Sequence, residues 1–243
     1  MVRKSSYGGF DFTTSLVASW QFENNFNDYT GNHNAVKTGL VTNTTAGLVG
    51  NQADFSGSTD YLTVADHADF SFGDGVTDVP FTMSTWVKFD TFSGTEGEWL
   101  INKRNASSTG DEWQLYYFGG VLYCTLFSSD SNANSIGINH TVSLTLNTWY
   151  HISATYNGSG LHTGLKLYLD NVSVGATSET GTYVATSNGI APVIMGTRGW
   201  GFRNQGELNG KLDEVKVYKN RELTQLEITE MYTQELAGNS VLT

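Results

Sequence analysis

Covalent cross-links are missing from this chain: Cys124 is the only cysteine among 243 residues, so no intrachain disulfide can form. The neighbours of Cys124, Leu122 and Tyr123 before it and Thr125, Leu126 and Phe127 after it, mark a small buried strand residue rather than a nucleophile. Cations are scarce as well. With 13 Lys and Arg against 24 Asp and Glu the net charge is −11, which excludes the clustered cations that nucleic-acid phosphates need and disfavours an anionic membrane surface. No apolar run reaches transmembrane length, so membrane insertion is not expected. No apolar segment follows Arg3 and Lys4, so the opening is not read as a secretory signal, and the chain is expected to be made in a cytosol. Proline is nearly absent at 2 residues, whereas Gly reaches 27 and aromatics 13%, a mix that suits many strands joined by tight turns and not a helical bundle.

The period of the apolar residues points the same way. Phe81, Met83, Thr85, Val87 and Phe89 alternate with Ser84, Trp86 and Lys88, and Leu165, Leu167 and Leu169 alternate with Lys166, Tyr168 and Asp170. A period of two belongs to strands that bury one face against a second sheet. Trp86, on the opposite face, is expected in a binding groove or under a loop. Turn clusters separate the strands at residues 56–58, 157–160, 170–171 and 196–199. Near the C-terminus, Thr224 and Glu227 have the spacing of a capping box and Leu223 sits where a hydrophobic staple belongs, so a short helix is predicted to start there.

Five ordered blocks carry a resemblance. They are residues 16–32 (with Trp20, Phe22 and an Asn/Asp/Gly loop), 53–64, 81–89, 149–158 continued by 165–171, and 210–228, where Leu212, Asp213, Glu214, Val215, Val217 and Tyr218 form a closing strand before the capped helix. Together they resemble the laminin-G-like jelly roll of the concanavalin A-like lectin/glucanase superfamily over about residues 16–236. The fold this implies is all-β, a two-sheet antiparallel jelly-roll sandwich with one short C-terminal helix. The expected organisation is an N-terminal arm at 1–14 with Phe10 and Phe12 as anchors, one domain at 15–237, and a C-terminal tail at 238–243.

The resemblance further implies a structural Ca2+ where the opening loop meets the closing strand, with Asp213 and Asp28 as ligands. The alternative for Asp28 and its Asn neighbours is a set of Asx-turns. The hydrolases of the superfamily set Glu, Asp and Glu at alternating positions of one strand. Glu96 and Glu98 come nearest here but lack the central Asp, and Asp111 and Glu112 are adjacent acids expected to point to opposite faces. The five histidines, His33, His67, His140, His151 and His162, form no metal or catalytic motif, and His151 is assigned to the core. Catalysis is therefore not expected. Aromatic faces flanked by amides suit sugar stacking, and the Gly-flanked loop with Trp200, Phe202 and Arg203 is the first candidate ligand site, with Trp99 and Trp113 further ones.

The expectation from these readings is a non-catalytic, lectin-like binding or structural module. Assembly in a host cytoplasm points to a phage virion component, a capsid decoration or a tail or fibre protein, whose partners are a surface glycan or neighbouring virion subunits and which could be a homo-oligomer. The alternatives are a polysaccharide-acting hydrolase or lyase and an extracellular carbohydrate-binding adhesin.

Overall fold

A computed structural model describes residues 6–7, 9–57, 59–93, 96–104, 111–128, 131–199 and 206–242. In chain order the strands are β1 (Ser6–Tyr7), β2 (Phe10–Asp11), β3 (Leu16–Trp20), β4 (Val36–Thr38), β5 (Thr42–Thr45), β6 (Asn51–Ser56), β7 (Tyr61–Val64), β8 (Phe81–Phe89) and β9 (Glu98–Lys103). They continue as β10 (Trp113–Phe118), β11 (Val121–Ser128), β12 (Ser131–Thr141), β13 (Trp149–Tyr156), β14 (Leu165–Leu169), β15 (Val172–Val174), β16 (Ala176–Thr180), β17 (Val193–Met195) and β18 (Asn209–Lys219), followed by helix α1 (Gln225–Leu236). One sheet, called front here, runs β16-β12-β11-β10-β9-β17-β7-β4. The other, called back, runs β15-β14-β13-β8-β18-β6-β5, with β3 also pairing β18. The pairings are antiparallel, as the jelly roll implied, and no described helix is long and apolar enough to cross a membrane.

The main core lies between the sheets. The alternating residues Phe81, Met83, Val87 and Phe89 of β8 and Leu165 and Leu167 of β14 all enter it, as do Cys124 and Val217. Burial alone pushes the Cys124 thiol up to about 12, which leaves it an inert core residue.

A second core sits on the outer face of the back sheet. Helix α1 lies there, started by the capping box: the Thr224 hydroxyl accepts from the Glu227 N–H at 3.3 Å, and the Glu227 carboxylate accepts from the Thr224 N–H at 2.8 Å. Leu223 and Ile228, the staple pair, are buried with Met231, Phe12, Val241 and Leu242. Phe12 therefore anchors the N-terminal segment, and residues 241–242 close this core instead of trailing from the domain as a tail. The helix also explains why β8 is buried on both faces. Trp86 stacks on Tyr232 at 5.4 Å and donates its indole N–H to Glu235 at 2.7 Å, so it lies under a helix rather than in a groove or under a loop.

Two-residue turns set the strand registers. Asp170 and Asn171 (φ 47° and 70°) join β14 to β15, and Gly119 and Gly120 (φ 58° and 83°) join β10 to β11. Positive φ at both central residues gives a turn whose twist matches the strands it connects. The second turn lays Tyr116 directly across from Tyr123.

Candidate functional site

The outer face of the front sheet carries side chains unlike those of its inner face. In β10 and β11 the inward positions are Trp113, Leu115, Leu122, Cys124 and Leu126, all in the core. Outward positions fall into cross-strand rows. One row pairs Trp99 with Tyr116, Tyr116 with Tyr123 and Tyr123 with Asn139. The next pairs Asn102 with Gln114, Gln114 with Thr125, Thr125 with Gly137 and Gly137 with Ser178.

The first row is a continuous aromatic stack. Trp99 and Tyr116 lie nearly parallel with centroids 4.3 Å apart, and Tyr116 and Tyr123 follow at 4.8 Å. Directly opposed residues on neighbouring strands stand close enough for such rings to meet face to face. Gly137 leaves out a side chain in the second row, and a groove of about 220 Å3 opens there, lined by Tyr116, Tyr123, Thr125, Gly137, Asn139 and Ser178 among others. Its walls thus offer two phenol rings, an amide and hydroxyls.

Cations frame the Trp99 end. The Arg104 guanidinium lies 5.5 Å from the Trp99 ring and that of Arg198 lies 5.8 Å from it. Arg104 is fixed by Asp111, through Nε at 2.8 Å and Nη2 at 2.5 Å, and by Gln114 Oε1 at 2.8 Å. A charge-assisted fork of this kind holds a guanidinium plane in place. Burial pushes the Tyr116 hydroxyl up to about 12, with Tyr123 adding to the rise and the two arginines opposing it, so the phenol stays neutral and able to donate.

The structure separates the residues singled out from the sequence. Trp113 is wholly buried, stacked on Phe72 at 5.4 Å with its indole N–H given to the Phe70 carbonyl at 2.8 Å, so it is a core residue and leaves the candidate binding set. Trp99 is 3% exposed, so it backs the site as the base of the stack and offers little surface of its own. Trp200, Phe202 and Arg203 lie outside the described residues, and follow closely on Arg198 in the sequence. Tyr116 and Tyr123 were missed as a pair. Their signal was present: two tyrosines placed symmetrically about a Gly-Gly turn must face each other.

The acidic pairs do not build a hydrolase site. Glu96 is exposed while Glu98 is 1% exposed, its carboxyl raised by burial, so they share no open face. Asp111 holds Arg104, whereas Glu112 turns to Lys103 at 2.5 Å and is pushed by burial up to about 7. Ser84, His151 and Glu235 have the residue types of a triad but not its geometry, because Ser84 Oγ at 2.8 Å and Glu235 at 4.0 Å both approach His151 Nε2. Ser84 and His151 are buried beneath α1 and Glu235 on its inner face, and burial followed by the nearby Lys216 charge drops His151 to about 3. No substrate reaches such a group, so its role is structural.

The proposed cation ligands also part company. The Asp28 carboxylate accepts from the backbone N–H groups of Ser19 (2.8 Å), Thr30 (3.1 Å), Asn32 (3.2 Å) and His33 (3.2 Å) and from the Thr30 hydroxyl. Donors surround both oxygens, so Asp28 is the knot of the opening loop, the Asx-turn alternative, and not a free ligand. Asp213 does sit at the junction. It accepts from Val49 N–H at 3.0 Å, and Asn51 two residues on donates to Glu23 of the opening loop at 3.3 Å. Burial first, then the neighbouring Glu214 charge, raises the Asp213 carboxyl well above its usual range, and Glu214 Oε1 is buried without a partner. Asp213, Glu214 and Glu23 are the acids nearest this junction, but their carboxylate oxygens do not form a group within 4.8 Å of one another, so a cation here stands only as a proposal.

With the geometry in hand, comparison settles the family. A family model described as concanavalin A-like lectin/glucanases superfamily (laminin G 3) matches residues 56–229. The chain belongs to this family. No curated protein matches the sequence. Among solved structures, the binding domain of Paraclostridial Mosquitocidal Protein 1 is 20% identical with a TM-score of 0.64, aligning over 90% of this chain and 52% of its own. The receptor binding domain of botulinum neurotoxin C/D mosaic serotype is 17% identical with a TM-score of 0.68, over 91% of this chain and 52% of its own. Domain 4 of AbnA, a GH43 extracellular arabinanase from Geobacillus stearothermophilus, solved in complex with arabinotriose, is 18% identical with a TM-score of 0.65, over 90% of this chain and 98% of its own. This laminin-G-like chain thus spans about half the length of the two toxin domains and nearly the whole arabinanase domain, and shares their fold.

Proposed function

We propose that this laminin-G-like chain is a non-catalytic glycan-binding module whose ligand lies across the outer face of the front sheet. The observation that carries this is the Trp99–Tyr116–Tyr123 stack running into a groove lined with Thr125, Asn139 and Ser178. Sugars present apolar C–H faces that stack on aromatic rings and hydroxyl edges that bond amides and hydroxyls, and this face pairs the two kinds of group. The fold neighbours support the reading by their own ligands and names, an arabinotriose complex and two binding domains.

The test is a glycan array probed with the wild-type chain and with Tyr123→Ala. Binding to a defined glycan class that the variant loses is the expected result. A wild-type chain that binds no glycan, or a variant with an unchanged profile, overturns the assignment of this face.

A further inference from the structure

The fold brings together two histidines that are far apart in sequence. His33 lies in the opening loop and His67 just before a one-turn 3-10 helix, Ala68–Phe70. Their rings stand 5.0 Å apart. Asp69 Oδ2 is 3.1 Å from His33 Nε2 and 3.1 Å from His67 Nδ1. Among the described residues this is the one group of three His, Cys, Asp or Glu side chains whose ligand atoms all lie within 4.8 Å of one another.

The cluster is held from behind. The His33 carbonyl accepts the Trp20 indole N–H at 2.9 Å, its N–H is held by Asp28, and its ring packs edge-on against Phe70 with centroids 4.7 Å apart. Phe70 is buried and stacks on Trp20 at 6.1 Å, which fastens the turn carrying Asp69 to the same support. The rear ligand is therefore preorganised, whereas His67 and Asp69, with side chains 56% and 49% exposed, face solvent.

The spacing at this spot suits a shared cation. His67 Nδ1 is 3.2 Å from the Asp69 backbone nitrogen and 3.1 Å from the Asp69 carboxylate, and His33 Nε2 is 3.1 Å from that same oxygen. A positive centre, a proton or a metal ion, holds a ring nitrogen this close to a carboxylate. Ligand atoms of a tetrahedral zinc, bonded at about 2.0–2.1 Å, are about 3.3 Å apart, close to the spacing seen here. Two imidazoles and one carboxylate select a borderline metal of the zinc class over Ca2+ or Mg2+, which prefer all-oxygen shells.

We propose that His33, His67 and Asp69 bind one divalent metal ion of the zinc class, with the remaining coordination open to solvent, and that the ion clips the opening loop to the 67–70 turn. This site is separate from the acidic junction at Asp213 and from the aromatic face.

The test is calorimetric titration of the full chain with Zn2+ at about pH 7.5, where free imidazole is largely neutral, with excess Ca2+ present throughout to occupy all-oxygen sites. One equivalent of Zn2+ is expected, with a rise in the unfolding midpoint because the ion binds only the folded chain. His67→Ala is expected to weaken binding at least tenfold, and Asp69→Asn to weaken it too. Their metal-free midpoints should stay near wild type, since both side chains are solvent-exposed. Histidine ring NMR on the unmodified chain gives a reading independent of variants: Zn2+ should shift the His33 and His67 signals together and leave His140 and His162 in place. No Zn2+ uptake, uptake unchanged in His67→Ala, or shifts confined to the other histidines overturns the site.

Discussion

At the scale of single residues, side chains of one type serve opposite ends. Trp113 and Trp99 lie in neighbouring strands, yet the first fills the core between the sheets and the second supports an aromatic row on the outer face. Strand alternation and the irregularity between Leu115 and Tyr116 decide which side each ring takes. Sequence reading grouped both as binding candidates because a lone aromatic carries no sign of its face. The sign came only from partners: Tyr116 and Tyr123 across the Gly119–Gly120 turn, and Gly137 beside Thr125. Core positions were easier to read. Leu167, on the apolar side of an alternating strand, and Val217, in the closing strand, are both fully buried. Val217→Asp is expected to destabilise the domain by several kcal/mol, since it puts an unpaired charge in the core. Urea unfolding measures this, and a loss under about 1 kcal/mol, the typical cost of any substitution, would show that the site is not a core position.

At the scale of elements, the helix was the most legible piece because its signals are local. Thr224 and Glu227 lie three residues apart and Leu223 and Ile228 five, and each pair acts directly across the first turn. Thr224→Ala is expected to cost about 1 kcal/mol, measured by chemical denaturation, because the Glu227 N–H loses its acceptor. The ground beneath the helix was not legible. Lys216 lies at its base between Glu214 and Glu235, the latter at 2.6 Å, and these residues come from β18 and α1. Nothing in the spacing of 214, 216 and 235 says that two acids and one base will meet in a buried site. The opening loop and closing strand are the other case. Their meeting was expected from the resemblance, and residues 49–51 bridge it, Val49 bonding Asp213 and Asn51 bonding Glu23, while Asp28 is spent on loop hydrogen bonds. Ca2+ at the Asp213 junction remains a proposal with a direct test. The unfolding midpoint should rise when EDTA-treated protein receives excess Ca2+, and Asp213→Asn should reduce the rise. An equal midpoint in both conditions, with no bound metal on elemental analysis, removes this cation.

At the scale of the whole molecule, two cores act on one sheet. The back sheet is covered on its inner face by the main core and on its outer face by α1, and the face proposed for ligand binding is the outer face of the front sheet. Sealing the back sheet carries a pH signature through His151. Its folded pKa is about 3 against an ordinary 6.5, so between these values the unfolded chain holds a proton that the folded chain refuses. Stability from this group is therefore present above about pH 6.5 and lost as pH falls towards 3. Glu112 and Glu235 act in the opposite sense between 4.5 and about 7, because burial makes the folded chain hold their protons more tightly. The difference between wild type and His151→Gln isolates the histidine. Wild type should lose stability relative to the variant as pH drops below about 6.5, and a constant difference across that range would contradict a buried neutral imidazole.

The proposed function rests on the half-buried aromatic face of the front sheet, and affinity measured alongside stability tests it most directly. The glycan class bound best on the array is titrated calorimetrically against wild type, Tyr123→Ala and Trp200→Ala, and each protein's unfolding midpoint is recorded. A residue that binds ligand without holding the fold together loses more than about 1 kcal/mol of affinity when truncated and little stability. Tyr123→Ala is expected to behave in this way, and Trp200→Ala to follow it if its loop joins the Arg198 end of the face. A Tyr123→Ala chain that keeps both wild-type midpoint and wild-type affinity would show that the glycan binds elsewhere on the molecule.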